Sequence, residues 1–192
     1  MVTIGITGGI GSGKSVVCRI LRMWRYPVYD SDSEAKRLMN TSGEIRSRLM
    51  ALLGHDIYTD AGLDRNRMAA LVFKDRDILN QVNAIVHPAV HRDFTEWAKR
   101  QDSKLVFLES AILYESGLAD ALSSVWCVAA PADIRIARTM ARNRCSREEV
   151  MERISKQMSD EEMAEKSDEI IYNDDSHSLL LQLKTLLARY EK

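Results

Sequence analysis

The apolar run Val2-Thr3-Ile4-Gly5-Ile6-Thr7 passes straight into Gly8-Gly9-Ile10-Gly11-Ser12-Gly13-Lys14-Ser15, a complete G-x-x-x-x-G-K-[ST] phosphate-binding loop where a first strand should end. Such a loop works only between a buried strand and the amino end of a helix, so it dictates a β-loop-α opening. Its glycines let the backbone curl until successive N–H groups face inward at the positive end of the helix, a nest for phosphate oxygens. The nucleotide-binding candidates are therefore Gly9, Ile10, Gly11, Ser12, Gly13, Lys14, Ser15 and Val16. Lys14 supplies a mobile cation for the β- and γ-phosphates of a nucleoside triphosphate. The Ser15 hydroxyl is suited to the magnesium ion that bridges them.

Five short β-rich runs are separated by helical patterns: Val2–Thr7, Pro27–Asp30, Leu105–Glu109, Val125–Ala129 and Glu169–Tyr172. This alternation predicts an α/β chain, a five-stranded parallel sheet with helices on both faces. Between the second and third runs lies a helical stretch with no strand of its own. Glu44–Leu53, Asp64–Phe73 and Arg76–Val86 repeat apolar residues at three- and four-residue spacing, and His87-Pro88 marks a break, with proline at a favoured first helical position. A second helical segment, Asp133–Arg144, carries Arg135, Arg138, Arg142 and Arg144, and Ser146-Arg147-Glu148-Glu149 is a capping box opening the next helix. Two helices with a basic junction resemble a lid. The expected organisation is a single domain with core segments 1–32, 101–132 and 167–192, a helical insertion at 33–100 and a lid at 133–166. A leucine-rich amphipathic helix runs from Leu179 to Tyr190.

A chain of 192 residues with net charge −1 has no global field to steer it toward nucleic acid or an anionic membrane. Neither partner is expected. Three well-separated cysteines, Cys18, Cys127 and Cys145, with no C-x-x-C pair, fit reduced thiols in a cytoplasm, and no stretch approaches about eighteen apolar residues. The expected partner is a small-molecule substrate, with the chain a monomer or weak homo-oligomer.

Tyr29-Asp30-Ser31-Asp32 closes the second strand, at the cleft above the sheet where open α/β folds bind ligands. Residues two apart in extended chain project to one side, so Asp30 and Asp32 can face the cleft. Asp32 is the candidate base for an acceptor hydroxyl. The competing role for these aspartates is to cap a helix starting near Ser33. Leu105–Glu109 reads as a buried strand ending in an acid, and Glu109 is a candidate magnesium ligand beside Ser15. Arg138 and Arg142, four apart on one helical face, are the arginines expected to meet nucleotide, with Arg142 acting on the migrating phosphoryl group. His87 and His91 share helical spacing but lack a third ligand, which disfavours a metal there and leaves His87 as a contact for an acceptor's phosphate or ribose.

These residues together resemble the dephospho-coenzyme A kinases. The likeness runs through Ile6–Ser15, Asp30-Ser31-Asp32, Leu63-Asp64-Arg65, Leu79-Asn80, His87-Pro88 and Ile112-Leu113-Tyr114-Glu115. It continues through Arg138-Thr139-Met140-Ala141-Arg142, Arg147-Glu148, Arg153, Gln157 and Asp168–Asn173. The resemblance implies transfer of the γ-phosphoryl group of ATP, with magnesium, to the ribose 3′-hydroxyl of dephospho-coenzyme A. It assigns the insertion to acceptor binding, with Arg65, His87 and Glu115 among the acceptor contacts, and adds Asn173 to the nucleotide site. Four positions depart from the family pattern: Glu109 and Ala111 replace an aspartate and a proline, Val16 replaces a threonine, and Asp175 stands where a glycine is usual.

Other nucleotide-binding classes fit less well. A shikimate kinase would share Tyr29–Asp32, but no Gly-Gly-Gly segment is present to seat shikimate, and the Asp-Gly-Phe-Pro-Arg segment of nucleoside monophosphate kinases is missing. A regulatory GTPase would need D-x-x-G and N-K-x-D, and the chain has neither. A degenerate module without turnover is disfavoured by the joint presence of Lys14, Ser15 and Asp32.

Overall fold

The computed structural model describes residues 1–190. The first part of the chain forms β1 (Val2–Thr7), α1 (Lys14–Met23), β2 (Val28–Asp30), α2 (Ser31–Thr41), α3 (Gly43–Leu53), β3 (Tyr58–Thr59), β4 (Gly62–Leu63), α4 (Arg65–Val72) and α5 (Arg76–Lys99). The remainder forms β5 (Leu105–Glu109), β6 (Ser124–Ala129), α6 (Ala132–Asn143), α7 (Arg147–Ile154), α8 (Asp160–Lys166), β7 (Glu169–Tyr172) and α9 (Leu179–Leu187). Two compact units result: one is Met1–Tyr29 with the chain from Gln101 onward, the other Asp30–Arg100.

The larger unit is built on the five-stranded parallel sheet, in the order β2-β5-β1-β6-β7. β1 lies at its centre, with Ile4 in register with Phe107 on one side and Ser124 on the other. β5 and β6 are buried along nearly their whole length and read as short, mostly apolar runs, as parallel strands covered by helices do, whereas β1 alternates Val2, Ile4 and Ile6 with Thr3, Gly5 and Thr7. The core joins Ile4, Ile6, Phe107 and Trp126 to Val17 and Leu21 of α1 and to Leu183, Leu186 and Leu187 of α9. Phe107 meets Trp126 edge-on at 5.7 Å, and Trp126 lies 6.1 Å from Tyr190. Each fully buried side chain of this size contributes about 1.5–3 kcal/mol, so the central strand stands on a firmly packed core. The phosphate loop springs directly from its end.

The smaller unit packs α2, α3, α4 and α5 around Ile45, Leu49, Val82, Val86, Val90 and Phe94. Arg37 ties α2 to α5 by donating to both oxygens of Asp93, at 2.7 and 2.8 Å. Two expectations are corrected here. The segment does contain strands, because Tyr58–Thr59 and Gly62–Leu63 pair as an antiparallel hairpin, turned through Asp60-Ala61 into Gly62 at φ 104° and braced where Asn40 accepts the Leu63 N–H at 2.9 Å. Strands this short carry no readable alternation. Nor does the chain break at His87-Pro88, since α5 runs without interruption from Arg76 to Lys99 and places His87 in mid-helix. Proline removes the hydrogen bond to the carbonyl four residues back, that of Ala84; neither Pro88 nor Ala84 is fully buried, so water can satisfy that carbonyl while Ala89 and Val90 pack inward.

Candidate nucleotide site

Gly13 leads into α1 from a left-handed conformation, φ 99°, and a Cβ on it would lie 2.0 Å from the Asn173 amide nitrogen. That amide donates to the Ser12 carbonyl at 2.7 Å, while the Asn173 N–H bonds the Ala129 carbonyl at the end of β6. Asn173 thus reaches the loop directly, holding its far side against the end of the sheet. Gly11, at φ 79°, passes so close to α6 that a Cβ would sit 2.3 Å from the Arg135 carbonyl oxygen. Glycine is required at both positions by conformation and by space.

Within the loop the Ser12 N–H bonds the Gly9 carbonyl at 3.1 Å, and the Lys14 ammonium donates to the carbonyls of Gly8 and Gly9. Among the described residues, the N–H groups of Gly11, Gly13 and Ser15 donate to no protein acceptor. Free donors are normal in the first turn of a helix; beside a loop that carries a lysine, they suit an anion. Ser15 and Val16 are exposed at this end of α1.

Ser15, Cys18 and Arg22 follow one face of α1 at helical spacing. Glu109, at the end of β5, lies against the lower two: its carboxylate is 3.8 Å from Arg22 and hydrogen-bonds the Cys18 thiol. Burial, reinforced by that carboxylate, pushes the Cys18 thiol far above its ordinary range, so it stays protonated and inert. Burial also pushes the Cys127 thiol up, to about 11. The acid and the serine are oxygen donors, which suits a hard cation such as magnesium; a cation that keeps most of its water and takes phosphate oxygens needs no larger protein cage.

The arginines of α6 divide sharply. Arg138 donates to the Asn173 carbonyl at 3.0 Å and to Asp175 at 2.8 Å, fastening α6 to the chain after β7. Arg142, a turn further on, is exposed, and its Nε bonds Asn143 Oδ1 at 3.1 Å. Arg135 is almost wholly buried, and its guanidinium bonds the Ile10 carbonyl and Asp160. Helical spacing among the arginines alone points to Arg138 and Arg142 and gives no such prominence to Arg135. The signal was present in the spacing of Arg135, Ile136 and Thr139, which mark the inward face of α6. The expected capping box is formed, with Ser146 and Glu149 exchanging bonds, but the segment holds three helices where two were expected. Glu115 accepts the Met158 N–H at 3.3 Å, a contact between the chain after β5 and the α7–α8 connection.

In the smaller unit, Asp30 and Asp32 separate into two roles. Asp30 caps α2, accepting the N–H groups of Asp32 and Ser33 at 3.1 Å each and the Ser33 hydroxyl at 2.9 Å. The helix begins at Ser31 and not near Ser33, which leaves Asp32 exposed in its first turn, its carboxylate without a hydrogen bond among the described residues. Arg65 opens α4 beside its cap, Asp64. Half-buried His87 has its pKa lowered by burial, so at neutral pH it is an uncharged imidazole, better matched to a hydroxyl than to a phosphate charge.

A family model described as dephospho-CoA kinase matches residues 2–178. A dephospho-CoA kinase of Porphyromonas gingivalis is 44% identical over 188 residues, covering 97% of this chain and 93% of its own. The crystal structure of TT1252 from Thermus thermophilus superposes with a TM-score of 0.85 at 40% identity, over 98% of this chain and 97% of that one. A shikimate kinase of Bacteroides thetaiotaomicron reaches a TM-score of 0.51 at 17% identity, over 97% of this chain and 98% of that one, a likeness of fold alone. Matched by that family model over residues 2–178 and by a relative 44% identical over 97% of its length, this chain belongs to the dephospho-CoA kinase family.

Proposed function

We propose that the chain transfers the γ-phosphoryl group of ATP to the ribose 3′-hydroxyl of dephospho-coenzyme A, giving coenzyme A and ADP. The observation that carries this reading is the loop itself: uncommitted N–H groups of Gly11, Gly13 and Ser15 beside the Lys14 ammonium, in a chain matched to that family over residues 2–178. The loop and Lys14 fix the donor phosphates, so that the reacting groups are oriented before the chemistry begins. The acceptor oxygen bonds to the γ-phosphorus, the bridging β–γ oxygen leaves with ADP, and the hydroxyl proton passes to Asp32. Asp32 stands two residues past the end of a sheet strand, where α/β folds recruit ligand-binding side chains, and its carboxylate is not consumed by the helix cap. Ser15 and Glu109 are the oxygen donors that would hold magnesium, which when bound would neutralise charge on the phosphates. Arg65, His87 and Glu115 serve the acceptor. The three free thiols suit a reducing cytoplasm.

An ADP-release assay with magnesium and ATP, offering dephospho-coenzyme A, shikimate, AMP and CMP in separate reactions, tests the reading: only the first is consumed. Turnover of shikimate or a nucleoside monophosphate in its place would reassign the enzyme. A narrower test concerns Arg142. Its alanine variant should slow phosphoryl transfer by about tenfold or more, the scale of a lost electrostatic contact in a closed site, with an unchanged melting temperature because among the described residues Arg142 bonds only its neighbour. Unaltered kinetics would leave Arg142 as a solvated surface residue.

A further inference from the structure

The Ile10 peptide groups are gripped from two directions by residues far along the chain. The Ile10 N–H donates to Gln157 Oε1 at 2.9 Å, and the Ile10 carbonyl accepts from Arg135 Nε at 2.9 Å. Arg135 is in turn bonded through Nη1 to Asp160 in the first turn of α8. The fit is close on both sides of Ile10: a Cβ on Gly9 would lie 2.2 Å from Arg135 Nη2, and Thr139 secures the backbone of Arg135 by donating to its carbonyl at 2.8 Å.

A trans peptide is planar, with its carbonyl and N–H pointing in opposite directions. Holding the Ile10 carbonyl against Arg135 therefore turns the Gly11 N–H away from α6, and that N–H has no protein acceptor among the described residues. Holding the Ile10 N–H against Gln157 likewise turns the Gly9 carbonyl the other way, where it accepts the Ser12 N–H and the Lys14 ammonium. Two adjacent peptide planes are fixed in this way, one aiming a phosphate donor and one docking the lysine.

We propose that Arg135 and Gln157 are positioning residues of the phosphate loop, which act by fixing the peptide planes on either side of Ile10 so that the Gly11 N–H and Lys14 are set for a nucleotide's phosphates. The proposal rests on reading this loop as the nucleotide site. In it Arg135 touches no reacting atom. Its buried charge is balanced by Asp160, whose side chain is half exposed, so the charge pair and the grip on Ile10 can be separated by substitution.

Glutamine carries its amide nitrogen where arginine carries Nε, so Arg135→Gln keeps a donor for the Ile10 carbonyl and loses the pair with Asp160. Methionine of similar length, in Arg135→Met, loses both. ADP with magnesium is titrated calorimetrically onto the native enzyme and both variants, and KM is measured separately for ATP and for dephospho-coenzyme A. Arg135→Met should weaken ADP binding and raise KM for ATP about tenfold, the scale of one hydrogen bond, with KM for the acceptor unchanged, and Arg135→Gln should stay within about threefold of native. Equal losses in the two variants, or none in either, would overturn the proposal by showing that the charge pair or nothing at all matters. Should Arg135→Met fail to fold, Gln157→Leu makes the same measurement on the neighbouring peptide, with the same tenfold expectation and the same overturning result. A native enzyme that binds no ADP would instead count against the loop as a nucleotide site.

Discussion

Lys14→Ala lowers turnover at least about a hundredfold, the range seen when a preorganised charge is taken from a phosphoryl-transfer site. In the structure the ammonium is docked on the loop itself, donating to the Gly8 and Gly9 carbonyls. Its tether allows it to exchange those carbonyls for phosphate oxygens, because the stem is flexible and the head offers three donors. Alanine leaves the N–H groups of Gly11, Gly13 and Ser15 in place, so part of the nucleotide affinity survives while the stabilisation of migrating charge is lost. Steady-state and single-turnover rates with magnesium and ATP check this, with the melting curve as a control for folding. A variant that turns over at more than a tenth of the native rate would show that the backbone nest alone carries the donor phosphates.

Comparable in size is the effect expected of Asp32→Asn, a loss of at least about a hundredfold in kcat with little change in KM for the acceptor. Asparagine preserves size and can still hydrogen-bond a hydroxyl, but it cannot take the proton. The structure makes the experiment clean, because the cap of α2 belongs to Asp30. Asp32→Asn should accordingly leave stability within about 0.5 kcal/mol of native, the ordinary range for a surface change. Asp30→Ala, by contrast, should cost about 1 kcal/mol by freeing the N–H groups of Asp32 and Ser33. Near-native kcat in the Asp32 variant would remove it as the base, whatever its effect on binding.

Much of the fold was legible in the chain. All five strands of the main sheet were readable to within a residue at their ends, since a buried parallel strand announces itself as a short apolar run between helical patterns. The capping box at Ser146 was equally plain, because both partners lie within one turn. Two features of the smaller unit were not. The hairpin of Tyr58–Leu63 is too short for any period to show, and the helix through Pro88 defies a local rule that packing by Val86, Ala89, Val90 and Phe94 outweighs. Local propensity fails there because burial of the inward face holds the helix together across the missing bond.

At the candidate site the same division holds. The loop from Gly8 to Ser15 was legible because its chemistry is contiguous: glycines, lysine and serine must succeed one another for the backbone to curl around a phosphate. The supports of that loop were not legible as a set. Arg135 lies 125 positions from Ile10, Gln157 lies 147 from it, and Asn173 lies 161 from Ser12. No periodicity or local spacing joins residues so far apart; only the parallel sheet, by bringing the ends of β1, β6 and β7 side by side, sets them against one loop. The chain by itself thus determined where the glycine-rich nest lies, since a short stretch of backbone makes it. Tertiary structure alone decided how the nest is held open and which of four neighbouring arginines is buried to hold it, because burial is a property of packed neighbours and not of residue order.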